Sequence, residues 1–403
     1  MENQFKDQFI ALTGPGGSGK SYLVRQHYEH IPKFALLSST TGISAVNISP
    51  DATTINKLLG YFDTESLMIS YRKLELHGRL KSLRESGVKY LVIEEASMLA
   101  GQQLELIYSA LVDVNNSTRL KPGADSKHKL GILLVYDLGQ LPCVDGDLII
   151  DAPCFRNFTQ IKLTEIKRQS DVDFVNALNL VRKGNALDSV DYFKDVIKFH
   201  AQLDPDFVGT TLASTNKEVN QVNTYRLDRL TGKIIEYASI VKGVVDSNWK
   251  NIPEKLSLKL GALVMIKVNN IDLGVSNGDL AIVEELYRNS VVVRLLRNSA
   301  VVVINPVSRQ NKVYDFHKLD FKVIGTITYL PLVLAFALTT HSSQSLSINS
   351  LQVDFRNQHC ARTPGLLYTA LSRATNPGGL RLVGNGSQFV KACKVNPHVL
   401  SYL

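Results

Sequence analysis

Phe9–Ser21 reads FIALTGPGGSGKS, and this stretch decides the fold. A short apolar run is followed by a glycine-rich turn, a lysine and a hydroxyl residue, after which helical periodicity begins at Lys20. Gly14-Pro15-Gly16-Gly17-Ser18-Gly19-Lys20-Ser21 fits the pattern GxxxxGK[ST]. The glycines let backbone N–H groups come close to phosphate oxygens, and the helix start adds positive potential. Lys20 is placed to neutralise β- and γ-phosphates, and the Ser21 hydroxyl to ligate Mg²⁺. A glycine-rich turn can arise by chance. A strand before it and a helix after it are the context in which it carries chemistry, so ATP and Mg²⁺ are the expected ligands.

Outward from this loop, short apolar runs alternate with helix-like stretches. Phe9–Leu12, Phe34–Leu37, Tyr90–Ile93 and Ile132–Val135 suit parallel strands buried on both faces. Lys20–Tyr28 and Gln102–Val114 read as helices between them. That order predicts an α/β fold with a doubly wound sheet. Asn116–Lys129 is polar and basic and reads as a surface loop. A second α/β unit is expected to begin near Thr159, with Phe174–Gly184 and Asn216–Leu230 helical and Thr210–Ser214 a strand. Around Lys255–Val303 the pattern changes to short β-rich runs with turn residues at Ser276–Asp279, which predicts a small inserted antiparallel barrel. The α/β pattern returns after about Phe321.

The tyrosine- and leucine-rich stretch KYLVIEEASML, Lys89–Leu99, closes an apolar strand with two carboxylates, Glu94 and Glu95. Ligands of open α/β sheets gather at the C-terminal ends of strands. One carboxylate there can hold Mg²⁺, and the other can position or deprotonate the attacking water. A charge pair at a helix start is the plainer reading, and the phosphate loop tips the balance.

Among 403 residues, 44% are hydrophobic and 20% charged, an ordinary globular composition, and the formal net charge of +8 favours polyanionic partners. The cysteines, Cys143, Cys154, Cys360 and Cys393, are scattered without metal-ligand spacing, so free thiols are expected. The first residues lack the basic start and apolar run of a secretory leader, and no membrane-length apolar run occurs. The expectation is a soluble protein of the cytoplasm or a host cell's nucleic-acid compartment, with no membrane partner.

Further motifs follow in order: Ser39–Ala45 (STTGISA), Glu94–Met98 (EEASM), Tyr136–Val144 (YDLGQLPCV), Leu163–Gln169 (LTEIKRQ), Leu258–Ile266 (LKLGALVMI), Val275–Val283 (VSNGDLAIV), Leu338–Ser345 (LTTHSSQS) and Leu367–Ala374 (LYTALSRA). Together they resemble the superfamily 1 DNA helicases of the branch that holds RecD, the phage helicase Dda and the petite-integration-frequency helicases. The resemblance spans nearly the whole chain. It implies two RecA-like P-loop domains with a small SH3-like β-barrel inserted. The expected limits are 1–158 for the first RecA-like domain, with a small insertion at about 56–86. Residues 159–235 and 315–403 are expected to form the second, and 236–314 the inserted β-rich domain.

The same resemblance implies roles. Gln140 would couple the γ-phosphate to DNA, with Asp137 supporting the metal site. Arg168 and Arg373 would reach the γ-phosphate as arginine fingers, worth about 10³–10⁵ in rate. Gln344 would touch the nucleotide in the closed state. Thr40, Thr41, Asn56, Thr339, His341 and Ser343 are the polar candidates for the nucleic-acid track, able to hold phosphates without reading bases. Tyr61, Phe62 and Tyr71 fall in the insertion, where an aromatic can stack on a base, although packing within its own helix or hairpin is the commoner fate. The implied activity is 5′→3′ translocation on single-stranded DNA and unwinding at duplex junctions. RNA and replication proteins are further candidate partners. The alternatives are an RNA-directed translocase and a nucleic-acid-binding accessory protein whose ATPase has decayed.

The chain departs from the family pattern in several places. Glu94 stands for the usual aspartate, Tyr136 for glycine, Asn56 for histidine, and Ser342 and Ser345 for lysine and glycine. Magnesium geometry is exacting, so the longer Glu94 asks for an adjusted pocket. A lost phosphate-binding lysine at Ser342 would flatten the salt dependence of DNA binding by about one unit. Gln4 and Gln8 are poorly spaced substitutes for the upstream glutamine that reads adenine. These departures point to a diverged member, viral or phage-borne.

Overall fold

The computed structural model describes residues 7–29, 35–41, 44–45, 52–117, 128–143, 146–245, 249, 252–268, 270, 272–315, 320–344 and 346–403. By spatial contact the chain divides into two compact units, residues 1–203 with 340–403, and residues 204–339.

The first unit is built on six parallel strands. They are β1 (Phe9–Thr13), β2 (Ala35–Ser39), β3 (Thr53–Thr54), β4 (Tyr90–Glu94), β5 (Gly131–Tyr136) and β6 (Thr159–Lys162), in the spatial order β3-β2-β4-β5-β1-β6. Every residue of YLVIE in β4 and GILLVY in β5 is buried, as strands covered on both faces require. Thr13 pairs with Tyr136 and Ser39 with Glu94. Gly14, Thr40, Glu95 and Asp137 therefore leave the sheet along one edge, where α/β folds bind ligands. Helix α1 (Lys20–Glu29) starts from that edge.

The strand β6 corrects one boundary. Thr159 was read as the start of a second α/β unit, yet β6 pairs in parallel with β1 from Ile10↔Thr159 to Thr13↔Lys162. A four-residue run with mostly exposed side chains carries no periodicity that could assign it to one sheet or another.

The insertion is helical, Ile55–Leu59, Thr64–Arg72 and Glu75–Glu85. Thr54 caps the first helix by accepting from Lys57 N, and Asp63 with Ser66 forms a capping box on the second. Leu59, Leu67, Leu76 and Leu80 are fully buried and join the core beneath helix Gly101–Asn116, whose Leu104, Ile107, Leu111 and Val114 recur at helical spacing. Of the loop expected at 116–129, residues 118–127 lie outside the described residues. A second set of parallel strands in this unit, Leu351–Asp354, Leu380–Val383 and Phe199–His200, packs beside the mutually contacting rings of Phe193, Phe199, Phe355 and Phe389.

The second unit opens with strand Thr210–Ala213 and helix Asn216–Arg229, whose Thr215–Glu218 capping box marks its start. Thr210–Ala213 pairs in parallel with Ala337–Thr339. Between them lies a five-stranded antiparallel sheet made of Val301–Ile304, Val291–Leu295, Leu280–Leu286, Leu263–Ile266 and Leu332–Leu334 in spatial order. A three-stranded sheet joins Ile240–Gly243 to the long hairpin Val307–Asp315 and Asp320–Tyr329. Among the described residues no helix is long and apolar enough to cross a membrane, and Cys143, Cys154, Cys360 and Cys393 are free thiols.

Asn115 sets the entry to β5. Its amide donates to Leu130 O (2.8 Å) and accepts from Leu130 N (3.0 Å), at 7% exposure. Asn115→Ala leaves Leu130 N buried and unpaired, while Leu130 O keeps the Gln8 amide as a donor (3.0 Å), and should cost about 2 kcal/mol. A denaturant titration checks this, and an unchanged midpoint would contradict it.

Candidate active site

The glycine-rich loop closes on itself before any ligand is considered. Ser18 N donates to Pro15 O (3.2 Å), and Lys20 Nζ donates to Gly14 O (2.8 Å) and Pro15 O (3.0 Å). Gly17 and Gly19 hold φ of 85° and 84°, the left-handed region in which only glycine is unstrained. Burial pulls the Lys20 ammonium down, and Asp137, Glu95 and Glu94 oppose that pull.

The acidic pair stands opposite the loop. Ser21 Oγ donates to Glu94 Oε2 (3.1 Å). Glu94 is 4% exposed and its Oε1 has no partner. Burial first, and the Glu95 charge second, push its carboxyl up to about 7. Glu95 takes φ 51° and ψ 38° at the end of β4. A glutamate in the left-handed region costs about 1–3 kcal/mol, a strain that clusters at functional sites.

Asp137 is the centre of the site. It is 1% exposed. Arg182 reaches Oδ1 through Nε (2.9 Å) and Nη2 (2.8 Å), and Gly139 N donates to the same atom (3.1 Å). Gln140 Nε2 (3.3 Å) and the Tyr368 hydroxyl (3.2 Å) donate to Oδ2. Burial pushes the carboxyl up, but Arg182 and Lys20 outweigh it and hold it below the usual carboxylate range. Both oxygens are committed to hydrogen bonds within the protein. Tyr136, in the place of a family glycine, is accommodated because its ring packs edge-on to Phe155 and its hydroxyl donates to Gln160 Oε1 (2.8 Å).

Arg168 and Arg373, the arginines expected at the phosphates, lie beside the glycine-rich loop. A Cβ on Gly16 would meet Gln140 Nε2 at 3.2 Å, Ser372 Oγ at 3.3 Å and Arg373 Nη2 at 3.4 Å. One on Gly17 would lie 2.6 Å from Arg168 Cβ. Arg168 is anchored by Nη1 on Ser372 O (2.8 Å), and Arg373 by Nε on Thr369 O (3.0 Å) and Nη2 on Ser372 Oγ (2.9 Å). Burial and the neighbouring Arg373 pull Arg168 down to about 9, which still leaves it charged at neutral pH. A cavity of about 420 Å³ opens here, lined by Gly16, Gly17, Gly19, Lys20 and Ser21 of the loop and by Glu94, Glu95, Gln140, Arg168 and Arg373. Lys20, Arg25, Arg168 and Arg373 line this cavity with Glu94 and Glu95 as its formal anions, while Lys167 pairs with Glu165 (3.0 Å), a balance that suits a polyphosphate.

Three buried atoms of this site have no partner, Ser18 Oγ, Glu94 Oε1 and Gln140 Oε1. Unpaired buried polar atoms ask for a ligand, water or ion. Ser21 and Glu94 fit a Mg²⁺ held by few protein ligands, because that ion keeps waters and phosphate oxygens for the rest of its shell.

Other expected residues lie elsewhere. Gln344 is fully buried with Nε2 on Met98 Sδ (3.5 Å) and does not line the cavity. Ser343 is also fully buried, and its hydroxyl donates to Thr340 O (2.8 Å), so it offers nothing to a strand in this structure. Thr40 Oγ1 donates to Glu95 O (2.9 Å), and Thr41 Oγ1 accepts from Ser44 N (3.2 Å); both residues stay partly exposed. Asn56 is partly exposed beside Phe62 O. Thr339 is 9% exposed, and His341 is half-buried, which with His359 lowers its pKa. Gly42, Ile43 and Ser345 of the quoted motifs lie outside the described residues. Tyr61 is buried and Tyr71 packs on His77, whereas Phe62 is 85% exposed. Sequence reasoning missed Arg182 and Tyr368 as members of the site. Arg182 ends a helix like many arginines, and no local signal marks its partner.

Glu94 should make the nucleotide-free protein pH-sensitive. Its unfolded value is 4.5 and its folded value about 7, so the folded state binds the extra proton between them. Stability should therefore fall as pH rises through that window, on the order of 3 kcal/mol in total. Glu94→Gln should flatten the curve of denaturant midpoint against pH, and an equal slope in both proteins would refute the assignment.

The chain is similar to known proteins along nearly its whole length. The sequence model of the AAA domain family matches residues 3–202. The ATP-dependent DNA helicase Pif1 of Campylobacter jejuni is 27% identical over 435 aligned residues, covering 98% of this chain and 94% of that protein. The Xenopus laevis ATP-dependent DNA helicase PIF1 is 28% identical, over 98% of this chain and 61% of its own length. The crystal structure of Pif1 helicase from Candida albicans superposes with a TM-score of 0.75 at 24% identity, covering 98% of this chain and 94% of that one. That of Bacteroides sp Pif1 in complex with ADP-AlF4 gives 0.73 at 25%, covering 98% and 93%. With RecA-like P-loop architecture, a phosphate loop ringed by cations and near end-to-end similarity, the chain is homologous to the Pif1-family superfamily 1 helicases.

Proposed function

We propose that this protein is an ATP-dependent DNA helicase that translocates 5′→3′ on single-stranded DNA and separates duplex ahead of it. The observation that carries the reading is the ring around Gly16, where Gln140, Ser372 and Arg373 converge on the phosphate loop. Guanidinium groups at that point stabilise the charge that grows on a transferring γ-phosphoryl group. Lys20 and the loop amides hold the β- and γ-phosphates. Glu95 orients the attacking water and takes up its proton. Gln140 lies against the γ-phosphate. Ser21 and Glu94 hold Mg²⁺, which when bound neutralises phosphate charge. Arg168 and Arg373 complete the pocket, so hydrolysis removes the charge that holds them and resets the grip on the strand.

The second RecA-like domain takes the residues up to about 235 and from about 315 to 403. Residues 236–314 form the inserted β-rich domain, and four strands of the five-stranded antiparallel sheet, Leu263–Ile266, Leu280–Leu286, Val291–Leu295 and Val301–Ile304, are the seat of the SH3-like barrel. Thr40, Thr41, Asn56, Thr339 and His341 are the polar candidates for holding the strand's phosphates. Phe62, exposed at the start of the helical insertion, meets bases where the duplex opens.

ATPase activity should rise with single-stranded DNA, and a duplex with a 5′ tail should be unwound. Unwinding from a 3′ tail alone would overturn the polarity, and stimulation by single-stranded RNA but not DNA would overturn the substrate. Arg373→Ala should cut kcat by about 10³-fold or more while a fluorescent ATP analogue still binds. Loss of analogue binding together with unfolding would make Arg373 structural.

A further inference from the structure

The hydroxyl of Tyr368 joins parts of the site that no role assigned so far accounts for. The residue is 3% exposed. Its oxygen accepts from Gly16 N (2.8 Å) and donates to Asp137 Oδ2 (3.2 Å). That same carboxylate oxygen accepts from Gln140 Nε2 (3.3 Å). One helical turn on, Ser372 N donates to Tyr368 O (2.9 Å), and the Ser372 hydroxyl accepts from Arg373 Nη2. A single phenol, carried on the short helix that leads to Arg373, therefore touches both the phosphate loop and the carboxylate that holds Gln140.

We infer that Tyr368 is a positioning residue for hydrolysis, whose hydroxyl holds the Gly16 amide and the Asp137–Gln140 pair in register with Arg373 so that a γ-phosphate meets them together. The inference rests on the proposed ATPase activity. The ring fills buried space that phenylalanine would fill equally. The hydroxyl is different, because without it the Gly16 N–H loses its acceptor and Asp137 loses one donor. Lys20, Ser21 and the remaining loop amides bind the ground-state phosphates without it, so the loss falls on the chemical step. Misplacing reacting groups by about 1 Å costs on the order of 10²-fold in rate.

Tyr368→Phe in the full chain tests this. We expect kcat for ATP to fall about 10- to 100-fold with KM within about threefold, and an unfolding midpoint close to that of the parent. The loss should be less than additive with that of Gln140→Ala, since both act through one contact. In the nucleotide-free protein, hydrogen exchange of a peptide spanning residues 14–21 should be faster in Tyr368→Phe and unchanged in the rest of the chain. An unchanged kcat, full additivity with Gln140→Ala, or a fall in kcat matched by faster exchange throughout the chain would overturn the inference. A parent chain without ATPase would sink the proposed function instead. The exchange comparison would still decide the contact, with faster loop exchange supporting it and equal exchange overturning it.

Discussion

The charge on Asp137 organises this site. A carboxylate at 1% exposure is tolerable only if other groups replace the water it has lost. Arg182 supplies the counter-charge, and Gly139 N, Gln140 and Tyr368 supply the remaining hydrogen bonds. Each partner comes from a segment with its own part to play: the end of β5, the helix Val172–Arg182 and the turn that carries Arg373. Satisfying one anion brings those segments to the phosphate loop. Gly139 has no side chain for the same reason, since a Cβ there would stand 2.5 Å from Arg182 Cγ.

What Asp137 assembles is electrostatically incomplete. Lys20, Arg168 and Arg373 crowd one cavity, burial pulls both arginines down and the Arg373 charge adds to the fall at Arg168, and burial pushes Glu94 up to about 7. Ser18 Oγ and Gln140 Oε1 lie buried without partners. Such a site is preorganised for a polyanion, and its entry relieves cation repulsion and satisfies orphaned groups in one step. The lengthened Glu94 is part of that design. Glu94 Oε2 accepts from Ser21 Oγ (3.1 Å), so a loop-to-strand contact is made with glutamate at this position.

The legible parts of the molecule were those whose cause is local. Runs such as LVI in β4 and ILLV in β5 are apolar because both faces are covered, so the strands could be placed to within a residue or two. The phosphate loop shows itself because glycine is required at Gly17 and Gly19, where φ is positive. Failures came where the cause is distant. Thr159–Lys162 has no pattern of its own and takes its sheet from β1. Ser343 and Gln344 look like polar site residues, yet they turn inward onto Thr340 O and Met98.

By itself the sequence determined the strand–loop–helix that cradles phosphate, the acidic pair at the end of β4 and the order of motifs along the chain. Each depends on backbone conformation or burial within a few neighbouring residues. The tertiary structure decided which polar groups meet. Gly16 finds Tyr368 across 352 positions, Tyr368 finds Asp137 across 231, and Arg182 finds it across 45. No periodicity encodes those separations, because the partner is set by which strand ends share an edge of the sheet and by the need to neutralise a buried charge.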